Sequence, residues 1–444
     1  MAGNSIGKFF RITTFGESHG NAVGVLIDGV KPNLVFKVEE IQKELNRRRP
    51  GQSSVTTPRN ETDQVQILSG VFEGKTLGTP ICLLIWNKDQ NSKAYDNIKE
   101  LFRPGHAAYT YLSKYGIQDY RGGGRSSGRE TAGRVAAGAV AKQLLAKRGI
   151  QIIAYTKQVG NIVANTTDYS FIEKNPVRCA DPVAAKKMER KILTVKKEGD
   201  SLGGVVEAVI KNCPPGLGEP VFDKLEADLA KALLSIPATK GFEIGSGFAA
   251  ARMKASEHND EFYKDTSGKV RTKTNFAGGI LGGISNGEDI IVRVAVKPPS
   301  SILKPQETVD IKGNKRTIKV EGRHDPCLCP RVVPVVESMI ALVIADHLMR
   351  QSLTKHQTAI SRLREEIDVV DDMLLLLLTQ RLELVREVGK WKKQNKRNIH
   401  DKKRENDIFH KRLALAEESG LDESFIKSMY QLILDYGKIV QQSV

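Results

Sequence analysis

An α+β domain followed by an all-α module is the fold this sequence predicts, on three observations. Residues 1–351 are rich in glycine and proline and alternate short β-like runs with helical stretches. From about residue 355 onward there is no proline, only three glycines, and three successive helical patterns. At 444 residues the chain is too long for one ordinary core, and its 40% hydrophobic and 27% charged residues are the composition of a globular protein. The change of texture places a short linker, 352–356, between a domain at 1–351 and one at 357–444.

The individual elements are dictated by local pattern. AVGVLIDG (22–29), TPICLLIW (79–86) and EDIIVRVAV (288–296) are apolar, β-branched runs that read as strands. RGGGRSSGRE (121–130) opens a helix: its glycines let the backbone turn tightly, Ser127 and Glu130 have capping-box spacing, and Ala and Gly line the helix itself. Past the linker, helices are expected at 357 to about 397, about 402 to 418, and 422 to 442.

Composition also excludes. No run of about eighteen apolar residues occurs, since Met373–Leu378 is fenced by Asp371, Asp372 and Arg381, and the first residues lack a signal-peptide layout; no membrane partner and a cytoplasmic address are expected. Five cysteines are an odd number for a disulfide framework, and Cys327 with Cys329 lacks the second pair that zinc needs, so no metal is expected. A net charge of +16 suggests polyanions, nucleic acid first. Yet the arginines sit inside Gly-rich and polar motifs such as NRRRPGQSS, FRPGHAAY and EGRHDPC, with no basic tail and no aromatic-interleaved stripe. Small anions of several charges fit better.

Four segments can carry chemistry. Backbone amides at the start of the RGGGRSSGRE helix, with Arg125, Ser126 and Ser127, could cradle a phosphate, or the segment is simply a well-capped helix. It matches neither a P-loop nor a Rossmann fingerprint. GESHG sets Ser18 and His19 between glycines, and FRPGHAAYTY sets His106 in a Pro-Gly turn near Arg103; both histidines suit proton transfer or a structural turn. In EGRHDPCLCP, Asp325 beside Arg323 and His324 could be a base or one half of an ion pair. Spacing alone does not choose.

The helical module raises a separate question. Its seam runs Ile360, Leu363, Ile367, Val370, Leu374, Leu377, Arg381, Leu384, Val388, Trp391, an apolar heptad stripe broken once. A buried guanidinium without an anion costs several kcal/mol, so Arg381 requires a buried carboxylate or an anionic ligand. Lys392 lies on nearly the same face, about 16 Å along the helix. Arg404 is flanked by Asp401 and Glu405, and Arg364 precedes the leucine run. A coiled-coil module with one awkward charge is the competing reading.

GESHGNAVGVLIDGVKP, GGGRSSGRETAGRVAAGAV and GRHDPCLCPRVVPVVESM resemble the three signature segments of chorismate synthase, and FRPGHAAYTY, NFAGGILGGIS and VKPPSS fit the same family over about residues 1–351. The resemblance implies a β-α-β layered fold with helices between sheets, usually a tetramer. It implies anti-1,4-elimination of phosphate from 5-enolpyruvylshikimate 3-phosphate to give chorismate, with reduced FMN required but not consumed. By the same resemblance His106 protonates the departing phosphate, His19 protonates bound flavin, and Asp325 helps flavin N5 take the substrate's proton. Ser18, Arg48 and Arg129 bind substrate; Arg125, Ser126, Ser127, Ala238, Gly282, Lys297, Ser300, Ser301 and Arg323 hold FMN. Such a site needs cations and amide donors, because substrate and flavin both carry phosphate and the substrate adds two carboxylates. Ser54 and Pro237 depart from an arginine and an asparagine of some bacterial relatives, and no NADPH-binding motif occurs, so reduced flavin is expected from a separate reductase.

Residues 357–443 resemble the all-helical chorismate mutase module, as in the N-terminal part of the bacterial mutase–prephenate dehydratase, through LREEID, QRLELVREVGKWK, HDKKREND and YQLILDYGKIVQQ. That implies Arg364, Arg381, Lys392, Asp401, Arg404, Glu405 and Gln441 as site residues. Arg364 would reach into the pocket of a paired module, Arg381 would face a chorismate carboxylate, and Lys392 and Gln441 would donate to the ether oxygen. Gly437 stands where the bacterial example has a carboxylate-binding serine. The reading is a bifunctional enzyme whose second module consumes the product of the first; the alternative is a synthase with a dimerisation or ligand-sensing tail.

Overall fold

The computed structural model describes residues 3–59, 61–90, 92–320, 322–354 and 359–443. The chain divides into two compact units, Met1–His356 and Gln357–Val444.

Among the described residues, the first unit carries seven α-helices: α1 (Val38–Arg48), α2 (Ala108–Tyr115), α3 (Thr131–Ala146), α4 (Pro182–Lys197), α5 (Leu225–Leu234), α6 (Ala255–His258) and α7 (Cys329–Thr354). Two five-stranded antiparallel sheets flank them. One runs in the order Ser5–Ile6, Arg11–Gly16, Ala22–Asp28, Ile81–Trp86, Val65–Ser69, with Val25 opposite both Thr14 and Leu83. The other runs Thr239–Ile244, Ile290–Val296, Gly204–Lys211, Gln151–Val159, Ile162–Val163, with Ala208 opposite both Ala154 and Val292. The three apolar runs read as strands thus lie in the sheets, and in Ile81–Trp86 alternate residues are buried as period two requires.

Between the sheets, α3 packs on the first, α7 on the second, and the two helices on each other, with α1 beside both. Small residues permit this. A Cβ added at Gly138 would lie 2.3 Å from that of Ser338, so only glycine lets α3 and α7 cross so closely. Their faces join one core with Ile27, Ile85, Val206 and Val294 from the sheets. Over 24 residues, Cys329–Ser352, α7 is long and apolar enough to cross a membrane, even though Glu337 and Asp346 interrupt its apolar run. It is nonetheless a core helix, 89% buried. Helix α7 also continues to Thr354, so residues 352–354 of the expected linker are helical, and 355–356 fall outside the described residues.

The described residues of the second unit form three helices, α8 (Ala359–Gln394), α9 (Lys402–Glu418) and α10 (Glu423–Gln442), with α10 packed on both others. Helix α8 stops before Lys396, whose left-handed φ of 50° breaks the helix. Asp401 and Asp422 cap the next two, accepting from Arg404 N at 3.0 Å and Phe425 N at 2.8 Å. Among the described residues its buried core is small: Gly389, Ala416, Ile426, Leu434, Gly437 and Val440. The seam residues of α8 from Leu363 to Trp391 are largely exposed, Leu377 by 60% and Leu384 by 62%.

Candidate active sites

In the first unit, loops from both sheets and the starts of α3 and α7 enclose a cavity of about 740 Å³. Ser18 and His19 come from the turn between the second and third strands in sequence, Arg48 from the end of α1, and His106 from the turn before α2. Arg125, Ser126, Ser127 and Arg129 precede α3; Ala238 precedes Thr239–Ile244; Lys297, Ser300 and Ser301 come after Ile290–Val296; Arg323 and Asp325 precede α7. All of them line the cavity. Gly282 does not: it sits exposed in the turn joining Ile280–Leu281 to Ile284–Ser285.

The RGGG segment explains how two distant histidines share this space. Gly122 and Gly123 have left-handed φ of 62° and 87°, and a Cβ on them would lie 2.4 Å from His19 Cδ2 and 3.0 Å from His106 Nε2. Backbone alone fits against both rings. His19 meets Tyr95 edge-on at 5.3 Å, and burial followed by the nearby Arg59 charge lowers its pKa. His106 Nε2 lies 3.0 Å from Arg103 Nη2; a guanidinium only donates, so this nitrogen accepts. Burial, then Arg103, pulls the His106 pKa down to about 3.

The cations are held firmly. Arg48 donates to Gly128 O at 2.6 Å, and Arg129 donates to Asn87 Oδ1 at 2.7 Å, while both bind the buried carboxylate of Asp63. Arg125 donates to Thr14 Oγ1 at 2.8 Å and Gly16 O at 3.1 Å, Lys297 to Gly105 O at 2.6 Å, and Arg323 to Asp89 Oδ2 at 2.7 Å. Asp325 accepts from Thr57 N at 2.9 Å and pairs with Arg331, so of its two sequence readings the ion pair is formed. Ser127 accepts from Arg129 N at 3.3 Å as a cap, but Glu130 does not return the bond; its carboxylate takes Thr14 Oγ1 and Arg134 instead. A short 3₁₀ turn, Gly128–Glu130, therefore precedes α3.

Sequence reasoning missed Arg59, Arg134, Lys240 and Arg331, which also line the cavity. Among the described residues, they make with Arg48, Arg103, Arg125, Arg129, Lys297 and Arg323 ten cationic side chains around one lining carboxylate, Asp325. No motif marks the missed four; their only signal is the charge excess, which fixes no position.

In the second unit, Arg381 is half-buried on α8 with its Nη1 buried and, among the described residues, without a hydrogen-bond partner, and on α10 Gln441 Oε1 is likewise buried and unpartnered among them. Burial lowers the Arg381 pKa, an effect that Tyr430 opposes and Arg412 reinforces. A Cβ on Gly437 would stand 3.6 Å from that Nη1. Lys392 donates to Ile399 O at 2.8 Å, Asp401 caps α9 ahead of Arg404, and Glu405 pairs with Lys438 at 3.0 Å. Arg364 is exposed, seventeen residues and about 26 Å along α8 from Arg381. Within one unit, therefore, Arg364 is not part of the cluster.

Family models divide the chain in the same way. The model of chorismate synthase matches residues 10–349. The chain belongs to the chorismate synthase family. Residues 363–442 match chorismate mutase type II, so a mutase domain is fused behind the synthase. The chorismate synthase of Methanosarcina mazei is 58% identical over 363 residues, covering 81% of this chain and 99% of the relative. That of Synechocystis sp. is 58% identical over 353 residues, 78% and 98%. A crystal structure of chorismate synthase aligns with a TM-score of 0.63 at 32% identity, covering 83% of this chain and 98% of that one. The chain thus pairs a synthase with a mutase, the bifunctional arrangement.

Proposed function

We propose that the cationic cavity binds 5-enolpyruvylshikimate 3-phosphate beside reduced FMN and eliminates phosphate to give chorismate, which the helical domain rearranges to prephenate. The observation that carries the first step is the ratio, among the described residues, of ten cations to one lining carboxylate around three imidazoles, His19, His106 and His324, whose pKa values burial lowers. A polyanion pair is what such a space lacks.

The residues present fit FMN. The volume lies in the range that encloses small ligands, and the turn of Arg125, Ser126 and Ser127 with Lys297, Ser300 and Ser301 offers cations, hydroxyls and amides suited to a phosphate. When bound, reduced FMN supplies the electron-rich surface against which the C–O bond breaks, and it is not consumed. Arg48 and Arg129 bind substrate anions. A phosphate dianion near His106 offsets the Arg103 charge and raises the proton affinity of the imidazole, which then gives its proton to the phosphate oxygen as it leaves. His19 holds a proton on the flavin side, and Asp325, fixed by Thr57 and Arg331, helps to remove the proton lost from the ring. Anaerobic assay with 5-enolpyruvylshikimate 3-phosphate and chemically reduced FMN tests this: phosphate should appear in an amount equal to chorismate and prephenate together. No phosphate release would overturn it.

The rearrangement of chorismate is intramolecular and needs neither nucleophile nor metal; the site folds the dianion and stabilises charge growing on the ether oxygen. The unpartnered Arg381 Nη1 and Gln441 Oε1 are the support for a ligand here. Serine at 437 would add a hydroxyl in ordinary contact, its Cβ 3.6 Å from Arg381 Nη1 and 3.7 Å from Val385. Gly437→Ser is expected to lower the KM for chorismate roughly tenfold with kcat little changed, the worth of one hydrogen bond to a charged group. An unchanged KM would mean that the substrate carboxylate lies elsewhere.

We also propose that the helical domains pair. The exposed stripe from Leu363 to Trp391 is more apolar surface than a lone domain leaves in water, and pairing brings Arg364 to a partner's site. Leu374→Lys with Leu377→Lys should lower mutase kcat/KM about 100-fold through the misplaced arginine while leaving chorismate synthesis within twofold. Unimpaired mutase activity would show one domain sufficient. A synthase tetramer, a separate flavin reductase and a cytoplasmic location complete the proposal; the five free cysteines, Cys82, Cys179, Cys213, Cys327 and Cys329, suit a reducing compartment.

A further inference from the structure

Behind the cationic wall of the synthase cavity stand carboxylates that do not line it. Glu61 holds Arg59 at 2.6 Å, and Glu130 holds Arg134 at 2.8 Å with Arg125 more loosely at 3.9 Å. Asp63 holds two. Arg48 Nη1 donates to its Oδ2 at 3.0 Å and Arg129 Nη1 to its Oδ1. The Asp63 side chain has no exposed surface.

The two arginines come from different elements, the last turn of α1 and the turn before α3, and carry like charges with Arg331 close by. Buried guanidiniums so placed repel unless an anion stands between them. Their other bonds then fix the remaining angles: Arg48 Nε to Thr131 Oγ1 at 3.1 Å, Arg129 Nη2 to Trp86 O at 3.2 Å. The bridge is itself anchored. Asp63 has a left-handed φ of 48°, Gln42 Nε2 donates to its carbonyl at 3.2 Å, and Gln42 Oε1 accepts from Val65 N at 3.1 Å. Two arginines from two elements thus converge on one carboxylate, and Gln42 of α1 holds the loop that carries it.

We infer that Asp63 is a positioning residue for the synthase reaction: by bridging Arg48 and Arg129 it sets the spacing at which that pair grips an anionic group of the substrate, without touching the substrate. The inference rests on the reading of Arg48 and Arg129 as substrate ligands. It differs from a role in folding alone, because a bridge that sets spacing acts on affinity and acts only through the two arginines.

The experiment compares Asp63→Asn, Arg48→Gln, Arg129→Gln, the double arginine variant and the triple variant. Turnover with reduced FMN gives KM and kcat, calorimetry with oxidised FMN present gives the substrate dissociation constant, and melting gives stability. For Asp63→Asn both KM and the dissociation constant should rise about 100-fold, as for an anion clamp displaced by about an ångström, with kcat within about threefold. Added to the double arginine variant, the same change should cost less than about threefold, because nothing is left to position. Undiminished affinity in Asp63→Asn, or a full additive loss in the triple variant, would overturn the proposal. If the single arginine variants leave affinity unchanged, the reading of Arg48 and Arg129 fails first and the proposal with it. Should Asp63→Asn not fold, Gln42→Met loosens the same loop without altering the carboxylate; it must raise KM, by about threefold, and an unchanged KM is again fatal.

Discussion

Arg381→Ala is expected to abolish chorismate consumption by the purified chain, with mutase kcat/KM falling about 10³-fold and chorismate synthesis staying within about twofold. The size of the effect comes from the geometry. Arg381 brings a half-buried guanidinium to the seam of α8 with an Nη1 that meets no acceptor among the described residues, beside the space left by Gly437. Such a cation is stabilised only by a ligand anion, so a large part of its interaction is reserved for bound chorismate. The synthase cavity lies in the other unit and shares no residue with it. The assay is ultraviolet absorbance of chorismate without flavin, with acid conversion of the product to phenylpyruvate as the check on identity. Wild-type chain that binds chorismate but does not turn it over would recast the helical domain as a sensing or assembly module and leave the synthase untouched. Equal losses of both activities in Arg381→Ala would point to a folding defect.

Arg381 also marks what a sequence can disclose. A charge on an apolar heptad is a local contradiction, and it is visible because helical periodicity assigns it a face before any tertiary contact is known. The same holds for the three helices of this domain and for the apolar strands, whose period-two burial depends only on neighbours along the chain. Gly122 and Gly123 are legible as a tight turn, though not as the surface on which His19 and His106 both rest, since those rings arrive from other elements. Asp63 is not legible at all. Its loop has no periodicity, and its partners stand 15 and 66 positions away in sequence. Glu130 shows the opposite failure: capping-box spacing is a local rule, and it yields where Thr14 and Arg134 offer a carboxylate stronger bonds than one backbone amide. Likewise part of the linker expected at 352–356 is helix, since α7 runs on to Thr354.

His106→Gln should lower synthase kcat/KM by about 10²- to 10⁴-fold, the usual worth of a positioned proton donor, and should also change how stability responds to acid. Within the cavity the imidazole is buried and faces Arg103, so its pKa falls from 6.5 to about 3. The unfolded chain then binds a proton below pH 6.5 that the native protein refuses, and stability is lost as pH falls, until the native pKa is approached. From pH 6.5 to about 5 that loss is at most about 2 kcal/mol. Glutamine removes the titration, so the variant's melting temperature should decline less over this interval than the wild type's. Substrate should act on the wild type in the same direction, because a phosphate dianion beside the ring favours the charged imidazolium and brings its pKa back toward neutrality. Melting curves with and without 5-enolpyruvylshikimate 3-phosphate therefore separate two readings of one histidine. If substrate flattens the pH dependence in wild type and has no such effect in His106→Gln, the ring takes up its proton when the phosphate arrives, as a donor must. A pH dependence unmoved by substrate would leave His106 neutral throughout and would assign the leaving-group proton to a different residue of the cavity.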